Sequence, residues 1–309
     1  MSIIKVALGV ARLPFLLLAP AVLFPVWSYT VLQTGDWQWS LTGLVLLVAL
    51  SAHIAVNALN EYQDFNSKLD LHTQKTPFSG GSGTLPLHPE LASVAFWVFL
   101  IFLCVSVLGG LELVRRAGSE LLLPGLVGVL LIISYTRWIN KIPMLCLLAP
   151  GLGFGLVMVN GTGLVLANEL SAGVVALSLM VTCLCSTLLL LNQFPDIEAD
   201  RQAGRRHVLI YYGIATGVSL YIGLILLAYL LLVMAVVLDF LPIAALAGLL
   251  TVPLSVRIVD QLQKSTIGNL QINPAFIGAM AKNVAVTLLT PLLSGVGILL
   301  TFLNSVSIS

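Results

Sequence analysis

Charge is scarce in this chain of 309 residues: 9% of it is Asp, Glu, Lys or Arg, and the net charge is +1. That leaves no basic surface for nucleic acid and no excess of either sign to recruit a strongly charged partner. Cysteine is scarcer still. Cys104, Cys146, Cys183 and Cys185 all stand in apolar runs, where a thiol acts as a small hydrophobe. Cys183 and Cys185 are two apart with no His or second Cys pair at zinc spacing, which argues against a thiolate metal site. A cleaved signal peptide is not expected either. Lys5 and Arg12 flank a short apolar stretch with no small-residue cleavage site, and the segment reads as a cytoplasmic amphipathic lead-in.

What is present is hydrophobic: 59% of residues, with a mean hydropathy of +1.05. No ordinary soluble domain reaches these values, so the chain is expected to be an all-α integral membrane protein forming one domain over residues 1–309. A spanning helix needs about 20 mostly apolar residues. About nine such runs are expected, near Pro14–Val31, Leu41–Asn60, Leu91–Leu111, Leu121–Tyr135, Ile142–Val165, Ala172–Asn192, Ile210–Val233, Phe240–Val256 and Val284–Leu303. Asp239 and Pro242 divide the long run from Ile210 to Val256. The segment Gln261–Ala281, with Lys264, Asn269, Asn273 and Pro274, is expected to be a loop or interfacial helix. With these spans, all of the 14 lysines and arginines except Arg115 and Arg116 fall on one side, together with most of the 13 acids. Positive loops stay inside, so that side is expected to be cytoplasmic, in a bacterial or archaeal cell membrane.

Two stretches on that side break the apolar pattern: Asn57–Asp70 (NALNEYQDFNSKLD) and Asn192–Asp200 (NQFPDIEAD). A carboxylate in the bilayer core costs about 3 kcal/mol on insertion scales, so these acids must face a surface or a polar cavity. His53, Asn57, Asn60 or Glu61, and Asp64 recur every three to four residues and share one face if the second span continues to Asp64. Asn192, Asp196 and Asp200 are four apart in the same way. The spacing Asn60-x3-Asp64 reappears as Asn192-x3-Asp196, a sign of pseudo-repeated four-helix units. Hydrogen bonding between helices would need the amides but not three acids.

Carboxylates beside carboxamide oxygens suit Mg²⁺, which takes one or two carboxylates and completes its shell with water and substrate phosphate. Candidate ligands are Asn60, Asp64, Asp70, Asp196 and Asp200. Arg137, Lys141, Arg201, Arg205 and Arg206 lie in adjoining loops and can neutralise a phosphate. The segment Thr76–Pro86 holds three glycines and two serines. It is either a flexible turn or, through Ser79, Gly80 and Gly81, a backbone cradle for phosphate oxygens. Polar metals above apolar walls fit a diphosphate with a hydrocarbon tail, such as an isoprenyl diphosphate.

These residues resemble those of the UbiA-type intramembrane prenyltransferases. The family's Asn-Asp-x-x-Asp with a further Asp is similar to Asn60-Glu61-Tyr62-Gln63-Asp64 and Asp70. Its second Asp-x-x-x-Asp is similar to Asp196-Ile197-Glu198-Ala199-Asp200. The ten-residue interval from Asn60 to Asp70, the Ser79–Gly83 segment and the framing by Asn192 and Gly204-Arg205 look most like the 1,4-dihydroxy-2-naphthoate branch of menaquinone synthesis. The resemblance implies a nine-helix bundle with a central cavity, Mg²⁺ at both motifs, and transfer of a polyprenyl group from its diphosphate to an aromatic acceptor. It makes Asp64, Asp70, Asp196 and Asp200 the expected catalytic residues. It also makes Asn57, Asn60, Lys68, Ser79, Gly80, Gly81, Tyr135, Arg137, Lys141, Asn192, Arg201 and Arg205 the expected substrate contacts. Glu61 stands where the family has Asp, and Lys68 stands where the commoner spacing would put the last Asp. Other acceptors remain open: 4-hydroxybenzoate, a haem, a chlorophyll precursor or a glycerol phosphate lipid. From a different class, so does a cation-coupled transporter.

Overall fold

In a bilayer, backbone N–H and C=O groups have no water to bind, so an apolar chain must satisfy them within helices. The computed structural model describes residues 2–69, 75–267 and 272–308, and among these there is no strand. The first helix, α1 (Ile3–Ala11), ends at Arg12 in a left-handed conformation, φ 54°. A 3₁₀ turn at Leu13–Leu17, opened by Pro14, leads into α2 (Leu18–Thr34), and α3 (Trp39–Asn66) follows. After them come the short α4 (Thr84–Leu87), α5 (Ala92–Ala117) and α6 (Leu122–Ser134). The next rod is composite: α7 (Pro143–Gly151), a π-helical stretch Leu152–Val159, and α8 (Asn160–Ala167). Pro150 lies inside it and removes a backbone donor where the wider helix begins. Beyond it lie α9 (Ala172–Asn192), the short α10 (Ile197–Gln202) and α11 (Val208–Tyr211), and α12 (Ile214–Val237). A 3₁₀ segment, Ile243–Thr251, runs into α13 (Val252–Ile267), and α14 (Pro274–Ile308) closes the chain.

Eight of these rods are long and apolar enough to span a membrane, and Ser119–Ser134 is a shorter ninth. Among the described residues these eight, with the shorter ninth, agree with the expected count of about nine, with two corrections at the ends. The second continues to Asn66, not Asn60. Gln261–Ala281 is not a loop over most of its length, since α13 runs to Ile267 and α14 begins at Pro274. The Asn273 side chain accepts the Phe276 N–H at 2.9 Å, an N-cap with proline at the first helical position.

Two packed bodies leave a space between them. In one, α3 lies along α5 with α1 across their end, burying Val10, Ala55, Leu59 and Val98. In the other, α9 is the central rod among α2, α12 and α14. Helices in lipid gain no hydrophobic drive from meeting, so close backbone approach and buried polar bonds hold them. A Cβ on Gly151 would lie 2.3 Å from the Thr182 carbonyl oxygen, so α7 meets α9 at glycine. Tyr221 donates to Asn283 Oδ1 at 2.8 Å, and Asn283 Nδ2 donates to the Thr187 carbonyl at 3.1 Å, joining α12, α14 and α9. Trp27, Trp37 and Trp39 cluster where α2 ends and α3 begins, with Trp37 and Trp39 stacked at 5.5 Å. Such rings favour a membrane interface, here at the end of α3 away from its acids.

Candidate functional site

Between the two bodies lies a cavity of about 690 Å³, walled by α3, α5, α6, the α7–α8 rod and the end of α9. Because α3 stays helical to Asn66, His53, Asn57, Asn60 and Asp64 fall on one face, and all four line this cavity. The downstream motif arrives differently. Helix α9 stops at Asn192, Pro195 sits in the break, and Asp196 caps α10, so Asn192, Asp196 and Asp200 reach the same cavity from two elements.

Arg205 ties the motifs together. Its Nη1 donates to Asp200 Oδ1 at 3.0 Å and its Nη2 to Asp64 Oδ1. The turn that returns Arg205 to the acids passes through Gly204 at φ 77°, a conformation glycine adopts without strain. His207, 1% exposed, places Nε2 3.3 Å from Asp200 Oδ2. Asp196 has no such partner on Oδ1. Burial, with the Asp200 charge behind it, pushes its pKa up to about 7 against the pull of Arg205, Ser79 and Arg12.

The glycine segment closes the mouth. Ser79, Gly80 and Gly81 line the cavity, with φ of 82° and 71° at the two glycines. Thr76 Oγ1 fixes its start by accepting the Phe78 and Ser79 N–H groups at 3.2 and 2.9 Å. Glu61 fixes its end. That side chain is 1% exposed and turns away from the cavity; Oε1 accepts Arg12 Nε and the Ser82 N–H, both at 2.7 Å, and Oε2 accepts Ser82 Oγ at 2.7 Å. Both oxygens of the family-divergent Glu are thus engaged in holding α1 and the glycine segment onto α3.

Tyr135 also lines the cavity, and Thr136 Oγ1 donates to Asn60 Oδ1 at 2.9 Å. Four expected substrate contacts are not brought there. Lys68, Arg137, Lys141 and Arg201 are exposed and absent from the lining. Arg137 packs over the Trp138 ring at 5.5 Å, and Arg201 pairs with Glu198 at 3.1 Å. Asp70 lies outside the described residues. Conversely, Arg12, Asn140, Gln193 and His207 line the cavity without having been expected. Arg12 reads from sequence as a topology charge; the left-handed break after α1 and the bond to Glu61 place it at the mouth. Asn140 sits in a short polar loop with no spacing to mark it.

Among the described residues, no three His, Cys, Asp or Glu side chains form a ready cage for a metal ion. The donors present are carboxylates and amides. Buried oxygens without a hydrogen-bond partner occur at Asn192 Oδ1, Asp196 Oδ1, Gln193 Oε1 and Asn140 Oδ1, all from cavity-lining residues. An all-oxygen set with few carboxylates fits a hard divalent cation that keeps water and phosphate in its shell. Below this polar mouth the walls are Val, Leu, Ala, Gly and Phe.

The profile of the UbiA prenyltransferase family matches residues 17–273. No curated protein matches the chain. Among solved structures, a digeranylgeranylglyceryl phosphate synthase aligns with a TM-score of 0.67 and 18% identity, over 97% of this chain and 99% of its own. A UbiA homolog from Archaeoglobus fulgidus bound to DMAPP and Mg²⁺ aligns with a TM-score of 0.66 and 14% identity, over 95% and 98%. An apo UbiA homolog from Aeropyrum pernix K1 gives 0.66 and 16%, over 91% and 97%. At these identities the likeness is one of fold.

Proposed function

Because this chain belongs to the UbiA prenyltransferase family, we propose that it moves a polyprenyl group from an isoprenyl diphosphate to an aromatic acceptor, 1,4-dihydroxy-2-naphthoate. The observation that carries the reading is the meeting of Asp64, Asp196 and Asp200 at the mouth of one apolar-walled cavity. An amphipathic diphosphate matches that division of polarity. The choice of acceptor rests on the sequence resemblance, through the Asn60–Asp70 interval and the Ser79–Gly83 segment. A cation-coupled transporter is disfavoured by family membership and by acids gathered at one end of the bundle.

Asn60, Asp64, Asp196 and Asp200, with Asp70 and Asn192, would hold Mg²⁺, which supplies positive charge against the diphosphate as it leaves. Arg12 and Arg205 present guanidinium groups to the same mouth, suited to phosphate oxygens. The N–H groups of Gly80 and Gly81, beside the cavity, add backbone donors held in place by the turn. The apolar walls exclude water from the allylic carbon, so the acceptor is the nucleophile that reaches it. The excess of positive loops favours a cytoplasmic mouth.

The test incubates membranes carrying the protein with labelled isoprenyl diphosphate, Mg²⁺ and a panel of acceptors: the naphthoate, 4-hydroxybenzoate and a prenylated glycerol phosphate. Asp64→Ala and Asp196→Ala should each lower transfer by at least a hundredfold. Full activity in either variant removes that carboxylate from the mechanism, and preference for another acceptor replaces the naphthoate.

A further inference from the structure

Glycines along the cavity are of two kinds. Some are packing glycines: a Cβ on Gly128 would lie 3.3 Å from Val157 Cγ1, closer than ordinary van der Waals contact. Gly110 on α5, Gly125 on α6, Gly153 in the π-helical stretch and Gly161 on α8 differ. A Cβ at any of them would meet nothing within 4 Å, yet all four line the cavity. Glycine weakens a helix relative to alanine, so four glycines with no packing demand need another reason, and Gly153, the one nearest the mouth, lies above the level of the other three.

Their depth supplies one. Gly109, next to Gly110, packs on Val48 of α3, which stands 16 residues from Asp64, about 24 Å at 1.5 Å per residue. Gly128 meets Val157, and Gly125 and Gly161 each lie about one turn further from the polar mouth than that pair. The His53 ring stands edge-on to Phe154 at 4.9 Å midway down, 5% exposed and with Nδ1 unpartnered, marking the last polar atom of the α3 face. Beyond it three helices each withhold a side chain at the far end of a space that nearly matches the thickness of a bilayer core.

Resting on the prenyl-transfer reading, we infer that Gly110, Gly125 and Gly161 set the longest tail the protein accepts. They leave room at the distal end of the cavity for the terminal isoprene units of a long polyprenyl chain. A short tail ends above this level and does not sense it.

The test compares geranyl, geranylgeranyl and octaprenyl diphosphates as donors for Gly110→Leu, Gly125→Leu and Gly161→Leu. Each variant should keep its geranyl rate within about twofold and lose at least tenfold with the octaprenyl donor. Gly43→Leu, on α3 with equally free space but outside the cavity, should leave the length profile unchanged. The corresponding alanine variants favour the helix and should show the same order at smaller amplitude, which covers a leucine variant that fails to accumulate. A profile identical to wild type, or an equal loss for all three donors, overturns the inference. Wild-type protein that transfers no tail of any length removes the prenyl-transfer reading and this inference with it.

Discussion

Glu61 offers a sharp test of how the mouth is held. It is buried, it accepts three hydrogen bonds of 2.7 Å, and one donor is the Arg12 guanidinium. Glu61→Ala strands a guanidinium that is itself mostly buried and leaves the Ser82 N–H and hydroxyl unpaired. Breaking a buried ion pair from one side costs about 3–5 kcal/mol; residual solvent access at Arg12, 19% exposed, brings the expected loss to about 2–4 kcal/mol. Glu61→Gln keeps the shape and one acceptor and should lose about half as much. The loss falls on the contact between α1, the glycine segment and α3, so the ordered mouth becomes a minor conformer. The apparent KM for the diphosphate should then rise tenfold or more, since 1.4 kcal/mol is a factor of ten. Thermal melting in detergent reads the stability, and initial rates across diphosphate and Mg²⁺ concentrations read the site. A strut leaves half-saturation by Mg²⁺ unchanged in Glu61→Gln. If Mg²⁺ dependence shifts while melting stays at the wild-type temperature, Glu61 is a metal ligand and the reasoning is wrong.

Asp196 holds a proton more tightly when folded, up to about pH 7, than when unfolded. Its contribution to stability is therefore present below about pH 4 and lost as pH rises through 7. Melting of protein in chelator should fall between pH 5.5 and 8.5 more steeply for wild type than for Asp196→Asn. Gly155→Leu should prevent normal accumulation or cost well over about 3 kcal/mol, because its Cβ would lie 2.1 Å from Thr182 Oγ1 and 2.6 Å from a backbone oxygen; melting and expression read this out. Arg205→Lys keeps one charge but cannot bridge Asp64 and Asp200 together, and transfer rates should drop at least tenfold. Arg201→Ala, at an exposed pair with Glu198, should change the rate less than twofold.

The spans and the α3 face were legible because both follow from period and polarity alone. His53, Asn57, Asn60 and Asp64 recur at helical spacing, and a helix carrying them through lipid must turn them toward a cavity. Helix ends were less legible, because hydropathy reports where lipid stops and not where hydrogen bonding stops. The α3 helix runs six residues beyond Asn60, through acids and amides that hydropathy assigns to a loop. The polar end of α13 was also announced, by the Asp260 and Lys264 pair one turn apart, now 2.7 Å from each other. Asn273-Pro274 was a helix start of the ordinary cap-then-proline kind. In both places local signals were outweighed by a falling count of apolar residues.

Basic residues were the hardest to sort, and the reason is physical. A lysine or arginine on the inner side of a membrane fixes topology wherever it points, so position along the chain says nothing about whether it also reaches a substrate. Arg201, in the last turn of α10, and Arg205, just beyond it, are four residues apart, yet Arg205 bridges two buried acids and Arg201 pairs with Glu198 in the open. What separates them is the turn at Gly204 and the partner waiting across the gap on α3, neither of which is a property of the basic residue. Arg12 makes the same point from the other end of the chain: its guanidinium enters the mouth because Glu61, 49 residues away, holds it there. A basic residue in such a loop is therefore assigned to the site by its acid partner, and the acids are what a sequence of this kind makes easy to find.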